Sequence, residues 1–108
     1  MALPTAEQIK DVNVRYHDAA AAEYDAKWGI DYGEIGQTQV TAKLRKALGR
    51  EPGRFARALE IGAGTGYFSL NLLRAGIIAD AVATDISPGM IQTLSQTAER
   101  LGLEVETA

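Results

Sequence analysis

Residues 58–70 read ALEIGAGTGYFSL, a short apolar run that breaks into alternating glycines and then returns to an amphipathic pattern. The run ALEI is typical of a buried strand, and the segment YFSLNLLRAG is typical of a helix that ends at Gly76. Between them, Gly62, Gly64 and Gly66 predict a tight turn. We therefore predict a strand, a glycine-rich loop and a helix, in that order.

The same alternation returns further along the chain. Ala81 to Thr84 is apolar and predicts a second strand, which Asp85 follows directly. The pair Ser87-Pro88 is typical of a helix N-cap and first helical residue, and this helix is predicted to end at Gly102. Leu103 to Glu106 is predicted to begin a third strand. Strands and helices that alternate in this way favour a parallel α/β sheet with right-handed crossovers.

The first part of the chain is predicted to be helical, apart from a loop over residues 29–36. A T-x-x-Q capping box begins a first helix, whose Ile9 and Val12 we expect to be buried. Residues 17–28 are rich in alanine and form a second predicted helix. A third predicted helix follows the loop and ends near Gly49.

Composition and charge exclude several classes of function. Eleven basic and fourteen acidic residues give a net charge of -3, which argues against binding to nucleic acids or anionic membranes. The chain has no cysteine and a single histidine, His17, so we predict no metal site. Because no segment approaches the roughly 20 apolar residues that span a bilayer, and no signal-peptide core is visible, we predict a cytoplasmic location.

The glycine-rich loop follows the carboxyl end of a strand, which is where parallel α/β sheets bind ligands. Alternating glycines let the backbone bend sharply or approach a ligand closely, and free N–H groups at the start of the next helix can bind an anionic group. The alternative is a tight turn without a ligand. A triphosphate loop needs a lysine and a hydroxyl residue after its last glycine, but Tyr67 and Phe68 follow Gly66. A dinucleotide loop, GxGxxG, needs a glycine at Tyr67, so both ligands are disfavoured.

Asp85 adds a second constraint on the ligand. It lies at the end of the second predicted strand, 19 residues after Gly66, where a carboxylate can accept hydrogen bonds from both hydroxyls of an adenosine ribose. NAD and S-adenosylmethionine both carry this ribose, so an NAD-dependent redox enzyme stays an alternative. Without the glycine loop, Asp85 is equally well interpreted as a residue that precedes a helix cap.

Two segments resemble the class I S-adenosylmethionine-dependent methyltransferases. Residues 58–66, ALEIGAGTG, resemble motif I of that family, and residues 82–90, VATDISPGM, resemble the segment that follows it. The resemblance implies a Rossmann-like methyltransferase fold, with S-adenosylmethionine as cofactor and S-adenosylhomocysteine as product. It also implies cofactor-binding roles for Glu60, Gly62, Ala63, Gly64, Thr65, Gly66, Asp85, Ile86 and Met90.

By this resemblance each part of the cofactor has its own partners. Residues 62–66 border the methionyl portion, and Glu60 lies near its amino group. Asp85 binds the ribose hydroxyls, while Ile86 and Met90 line the adenine pocket. The residue types suit these roles, since an anion attracts an ammonium group, a carboxylate accepts from a diol, and apolar side chains contact a flat base.

Residues 16–25, YHDAAAAEYD, resemble the region before motif I in members of the family that act on small molecules. This implies that Tyr16 and Tyr24 cover the cofactor, the alternative being packing in the core. It also implies a small-molecule methyl acceptor. A general base is needed only when the acceptor loses a proton, and His17, Asp18 and the tyrosines have no motif behind them, so we predict no catalytic residue.

The resemblance implies a seven-stranded sheet, of which this chain supplies the first three strands. We expect one truncated domain of residues 1–108, with a helical lid region of residues 1–50 and a βαβαβ cofactor-binding half of residues 55–108. The first strand is central in the complete sheet, so its apolar edge is expected to be open here and to favour self-association. The alternative function is a non-catalytic nucleotide-binding or interaction module derived from a methyltransferase.

Overall fold

The computed structural model describes residues 5–15 and 30–108. The predicted helix of residues 17–28, like Tyr16 and Tyr24, lies outside the described residues. The elements in chain order are helices α1 (6–15) and α2 (Glu34–Leu48), strand β1 (Phe55–Ile61), helix α3 (Tyr67–Arg74), strand β2 (Ile78–Thr84), helix α4 (Pro88–Arg100) and strand β3 (Glu106–Thr107). None of these described helices is long and apolar enough to cross a membrane.

The strands form one parallel sheet in the order β1, β2, β3, which confirms the predicted α/β class. Leu59 of β1 is paired with Val82 of β2, which in turn is paired with Glu106 of β3. Right-handed crossovers between consecutive parallel strands place α3 and α4 on the same face of the sheet. The core lies on that face, and Leu70 of α3 and Leu94 of α4 are completely buried in it.

The opposite face of the sheet carries exposed apolar side chains. Phe55, Leu59 and Ile61 alternate along β1 and are 38%, 65% and 82% exposed. Arg57 lies between them and forms an ion pair with Asp80 of β2 at 3.2 Å. Within the described residues, no strand pairs with the outer edge of β1. Self-association through this edge stays a prediction; sedimentation of the chain tests it, and a single monomeric species contradicts it.

Helix α2 begins at Glu34, although the loop was predicted to extend to residue 36. The carboxylate of Asp31 accepts hydrogen bonds from the N–H groups of Gly33 at 3.1 Å and Gly36 at 2.7 Å, which satisfies donors at the helix start. A Cβ atom at Gly36 would lie 1.8 Å from the carbonyl oxygen of Asp31. The prediction was wrong because Gly36 permits a close backbone approach inside a helix.

Two strand starts also differ from the predictions. Strand β2 begins at Ile78, earlier than the predicted start at Ala81, because pairing with β1 extends it through polar and small residues. Strand β3 begins at Glu106 instead of Leu103. The N–H group of Leu103 donates to the carbonyl of Ala98 at 2.8 Å, so this residue closes the end of α4 and does not pair with a strand.

The predicted capping box of α1 is confirmed, but its predicted buried face is wrong. The N–H group of Thr5 donates to Oε1 of Gln8 at 2.8 Å, and the N–H group of Gln8 donates to Oγ1 of Thr5 at 3.1 Å. Ile9 and Val12 are 52% and 64% exposed, whereas Val14 is half-buried. The side of the helix that carries Val14 is therefore the less exposed one, and periodicity alone does not specify which side is covered.

Candidate functional site

The glycine loop, residues 62–66, connects β1 to α3 beyond the carboxyl end of the strand. Its three glycines have φ angles of 70°, 60° and 96° in chain order. These angles favour glycine, because a Cβ atom collides with the backbone in the left-handed region. Gly66 has a second constraint, since a Cβ atom there would lie 2.9 Å from the side chains of Leu70 and Leu94. Backbone conformation and core packing therefore both require glycine at this position.

The N–H groups of the glycine loop are largely used within the protein. Ala63 donates to the carbonyl of Thr84 at 2.8 Å, and Gly64 donates to Oδ2 of Asp85 at 2.8 Å. Gly66 donates to the carbonyl of Ala63 at 3.1 Å. These three donors are thus not available to an anionic ligand. They instead hold the loop in one shape against the end of β2.

The carboxylate of Asp85 lies where β2 ends and the glycine loop approaches it. Its Oδ2 accepts from Gly64, and its Oδ1 accepts from the N–H group of Ser87 at 2.9 Å. An ionised carboxylate has about four acceptor sites, so two bonds leave capacity for a ligand. The structure therefore places a fixed, partly satisfied acceptor at the position predicted to bind a ribose.

Glu60 reaches the N-terminus of α3. Its Oε1 accepts hydrogen bonds from Oγ of Ser69 at 2.6 Å and from the N–H group of Ser69 at 3.3 Å. Burial raises the pKa of the Glu60 carboxyl above its usual value, and the two hydrogen bonds from Ser69 lower the pKa in part. A carboxylate thus occupies the helix N-terminus, where a dinucleotide fold would bind a pyrophosphate.

The raised pKa of Glu60 predicts a pH dependence of stability. The native chain holds this proton more tightly than the unfolded chain, so the free energy of unfolding falls as the pH rises from 4.5 through the raised pKa. Glu60→Gln removes the ionisation and keeps an acceptor for Ser69. We expect this variant to gain stability relative to wild type between about pH 5 and about pH 7.5.

Urea unfolding at the two pH values measures this difference for Glu60→Gln and for Glu104→Gln, which changes an exposed carboxyl. Only the first variant is expected to diverge from wild type. Equal behaviour of the two variants contradicts the role of burial at Glu60.

A cavity of about 640 Å³ lies against the carboxyl ends of β1 and β2. The described residues that line it are Asn13, Val14, Ile61, Gly62, Thr84, Asp85 and Ile86. The structure therefore brings three of the predicted residues together, namely Gly62, Asp85 and Ile86. Met90 is only 2% exposed in α4 and does not line this cavity. In the part of the chain that the structure describes, no group of three or more His, Cys, Asp or Glu side chains could hold a metal ion.

Sequence reasoning missed several residues that line the cavity. Ile61 and Thr84 are the last residues of β1 and β2, and position at a strand end is a signal that could have found them. Asn13 and Val14 carried no comparable signal, because the apolar pattern of α1 pointed to a different face. Helix α1 therefore lines one side of the cavity, which the sequence motifs did not indicate.

Tyr32 also contacts the glycine loop, and it had no signal in the sequence. Its side chain is buried, and its hydroxyl donates to the carbonyl of Thr65 at 3.0 Å. Thr65 and Ala63 are themselves buried, so these two predicted residues face the protein interior. Tyr32 was missed because its segment was interpreted only as a loop.

Comparison with known proteins agrees with this arrangement. The family described as a methyltransferase domain matches residues 58–108. A malonyl-[acyl-carrier protein] O-methyltransferase from Methylococcus capsulatus is 39% identical over 93 residues, which cover 83% of this chain and 32% of that protein. The chain thus spans about a third of the length of this curated relative.

Solved structures of similar fold extend the match over almost the whole chain. A complex of DhpI with S-adenosylhomocysteine is 28% identical with a TM-score of 0.65, and the match covers 96% of this chain and 46% of that chain. An S-adenosylmethionine-dependent methyltransferase from Clostridium acetobutylicum, 19% identical, shares the fold with a TM-score of 0.54 over 86% of this chain and 35% of that chain. These matches support membership of the class I S-adenosylmethionine-dependent methyltransferases. The chain has their Rossmann-like fold.

Proposed function

We propose that this chain binds S-adenosylmethionine in the cavity beside the glycine loop and forms the cofactor-binding part of a methyltransferase that acts on a small molecule. The observation that carries the proposal is the position of Asp85. Its carboxylate lines the cavity, accepts from the loop at Gly64 and keeps acceptor capacity for the two hydroxyls of a ribose. Family membership supports the same ligand, as does the S-adenosylhomocysteine bound in the DhpI structure.

The charges of the site favour S-adenosylmethionine over a dinucleotide. Glu60 places a carboxylate at the N-terminus of α3, and Asp85 places another at the cavity, whereas none of the described lining residues carries a positive charge. A pyrophosphate bound here would lie near two anions, and the described part of the lining offers it no cation to compensate. A ligand with a sulfonium and an ammonium group is instead favoured, because both carboxylates attract its positive charges.

Apolar walls complete the fit of the cavity to this cofactor. Ile61 and Ile86 are 82% and 64% exposed beside the cavity, and Val14 lines it from α1. We assign the contact with adenine to these side chains. When bound, S-adenosylmethionine supplies an electrophilic methyl group. The residues of this chain bind and orient it, and the apolar side chains exclude water from that part of the site.

Calorimetric titration of the chain with S-adenosylhomocysteine and with NAD tests the proposal. We expect S-adenosylhomocysteine to bind at least about tenfold more tightly than NAD. NAD binding of equal or greater affinity contradicts the proposal and revives a redox function. Failure of both ligands to bind at about 1 mM also contradicts it, and favours a non-catalytic interaction module.

A further inference from the structure

The segment that precedes α2 is bound tightly to α3. We call residues 30–33 the strap. The side-chain amide of Asn71 donates to the carbonyl of Asp31 at 3.0 Å, and Nη1 of Arg74 donates to the carbonyl of Tyr32 at 2.8 Å. Asn71 also donates to the carbonyl of Tyr67 at 2.8 Å, within its own helix. Two side chains of α3 thus fix the strap backbone to the helix that follows the glycine loop.

Tyr32 extends from the strap to the loop itself. The residue is 8% exposed, and its hydroxyl donates to the carbonyl of Thr65 at 3.0 Å. The N–H group of the same peptide unit belongs to Gly66 and donates to the carbonyl of Ala63 at 3.1 Å. Because a peptide unit is planar, these two bonds hold both of its ends. The plane between Thr65 and Gly66 cannot rotate unless both bonds break.

We propose that Tyr32 is a positioning residue for cofactor binding, which acts through the carbonyl of Thr65 and fixes the shape of the glycine loop before the ligand arrives. This inference rests on the proposed function, and it assigns a role to a residue outside the motifs. The glycine loop needs such support, because glycine has the greatest backbone freedom of any residue. A preorganised loop binds its ligand without an additional entropic cost of ordering.

Tyr32→Phe tests the role of the hydroxyl and keeps the buried ring. We expect the dissociation constant for S-adenosylhomocysteine to rise about tenfold, which corresponds to about 1.4 kcal/mol. Tyr67→Phe is the matched control. The Tyr67 hydroxyl donates to Oε1 of Gln39 at 2.7 Å on the protein surface. Loss of this hydroxyl is expected to change the dissociation constant by less than about twofold. Urea unfolding of each variant corrects the affinities for any unfolded fraction.

The amide resonances of Gly64 and Gly66 give a second readout that a change in global stability does not move. We expect both to shift in folded Tyr32→Phe and to stay in place in Tyr67→Phe. Unchanged resonances or an unchanged affinity in Tyr32→Phe overturns the role of Tyr32. A wild-type chain that does not bind S-adenosylhomocysteine overturns the proposed function itself, so the two failures are distinguishable.

Discussion

Gly66→Ala is expected to lower the free energy of unfolding by about 2–5 kcal/mol. A left-handed backbone costs a residue with a Cβ atom about 1–2 kcal/mol, and the φ of Gly66 is 96°. The new methyl group would also lie 2.9 Å from Leu70 and Leu94, and such overpacking costs about 1–3 kcal/mol. Against a total stability of about 5–15 kcal/mol, this loss is large for a small chain.

Gly76→Ala separates the two causes. Gly76 follows the other end of α3 with a φ of 73°, and a Cβ atom there would meet nothing within 4 Å. The free energy of unfolding of Gly76→Ala should therefore fall only by the cost of the left-handed backbone, about 1–2 kcal/mol. Urea unfolding of both variants measures the difference. If both variants lose the same free energy of unfolding, Leu70 and Leu94 move aside at no cost, which contradicts the packing requirement. We also expect reduced affinity for S-adenosylhomocysteine in Gly66→Ala alone, because the glycine loop must shift.

The elements predicted most accurately from the sequence depend on residues within a turn of each other. Ser87 begins α4 as predicted, since its Oγ accepts from the N–H group of Met90 at 3.2 Å. The strand before the glycine loop and the helix after it were likewise predicted. Such features need no knowledge of what packs against them, because caps, glycines and apolar periodicity act locally.

Features that depend on tertiary contacts were not predicted. Gly36 was assigned to a loop, but its importance comes from a carbonyl that lies against it. The exposure of Ile9 and Val12 shows the same limit, because periodicity identifies an apolar face without identifying its partner. Tyr32 lies 33 residues before the carbonyl that it binds, and a contact over that distance leaves no local pattern.

In the candidate site, likewise, positions along the chain were predicted and tertiary contacts were not. Asp85 was predicted from its position, because the carboxyl ends of parallel strands meet at one edge of the sheet. Its hydrogen bond with the loop at Gly64 was not predicted, and neither was the bond between Glu60 and Ser69. These two bonds use N–H groups that an anion would otherwise take, which supports the proposed preference for S-adenosylmethionine over a dinucleotide.

Asp85→Asn is expected to weaken the binding of S-adenosylhomocysteine by about 100-fold, or about 2.7 kcal/mol. Each hydrogen bond to a charged acceptor contributes about 1.5–3 kcal/mol, and the carboxylate is proposed to accept two from the ribose. The amide also turns an NH₂ group toward the N–H group of either Gly64 or Ser87, both of which now donate to the carboxylate. The variant thus loses an acceptor for the ligand and disturbs the loop.

A ligand that lacks one hydroxyl separates these two effects. Wild type should bind 2′-deoxy-S-adenosylhomocysteine about tenfold less tightly than the parent compound, whereas Asp85→Asn should bind both alike. Asp80→Asn is the matched control, because Asp80 lies on β2, the strand that Asp85 follows, and forms an exposed ion pair with Arg57 at 3.2 Å. The Asp80→Asn variant should bind the 2′-deoxy compound less tightly than the parent compound by the same factor as wild type. A direct contact between the carboxylate and the 2′-hydroxyl would make the effect of removing one depend on the presence of the other. If Asp85→Asn still binds the parent compound about tenfold more tightly than the 2′-deoxy compound, the carboxylate acts on the glycine loop and not on the ribose.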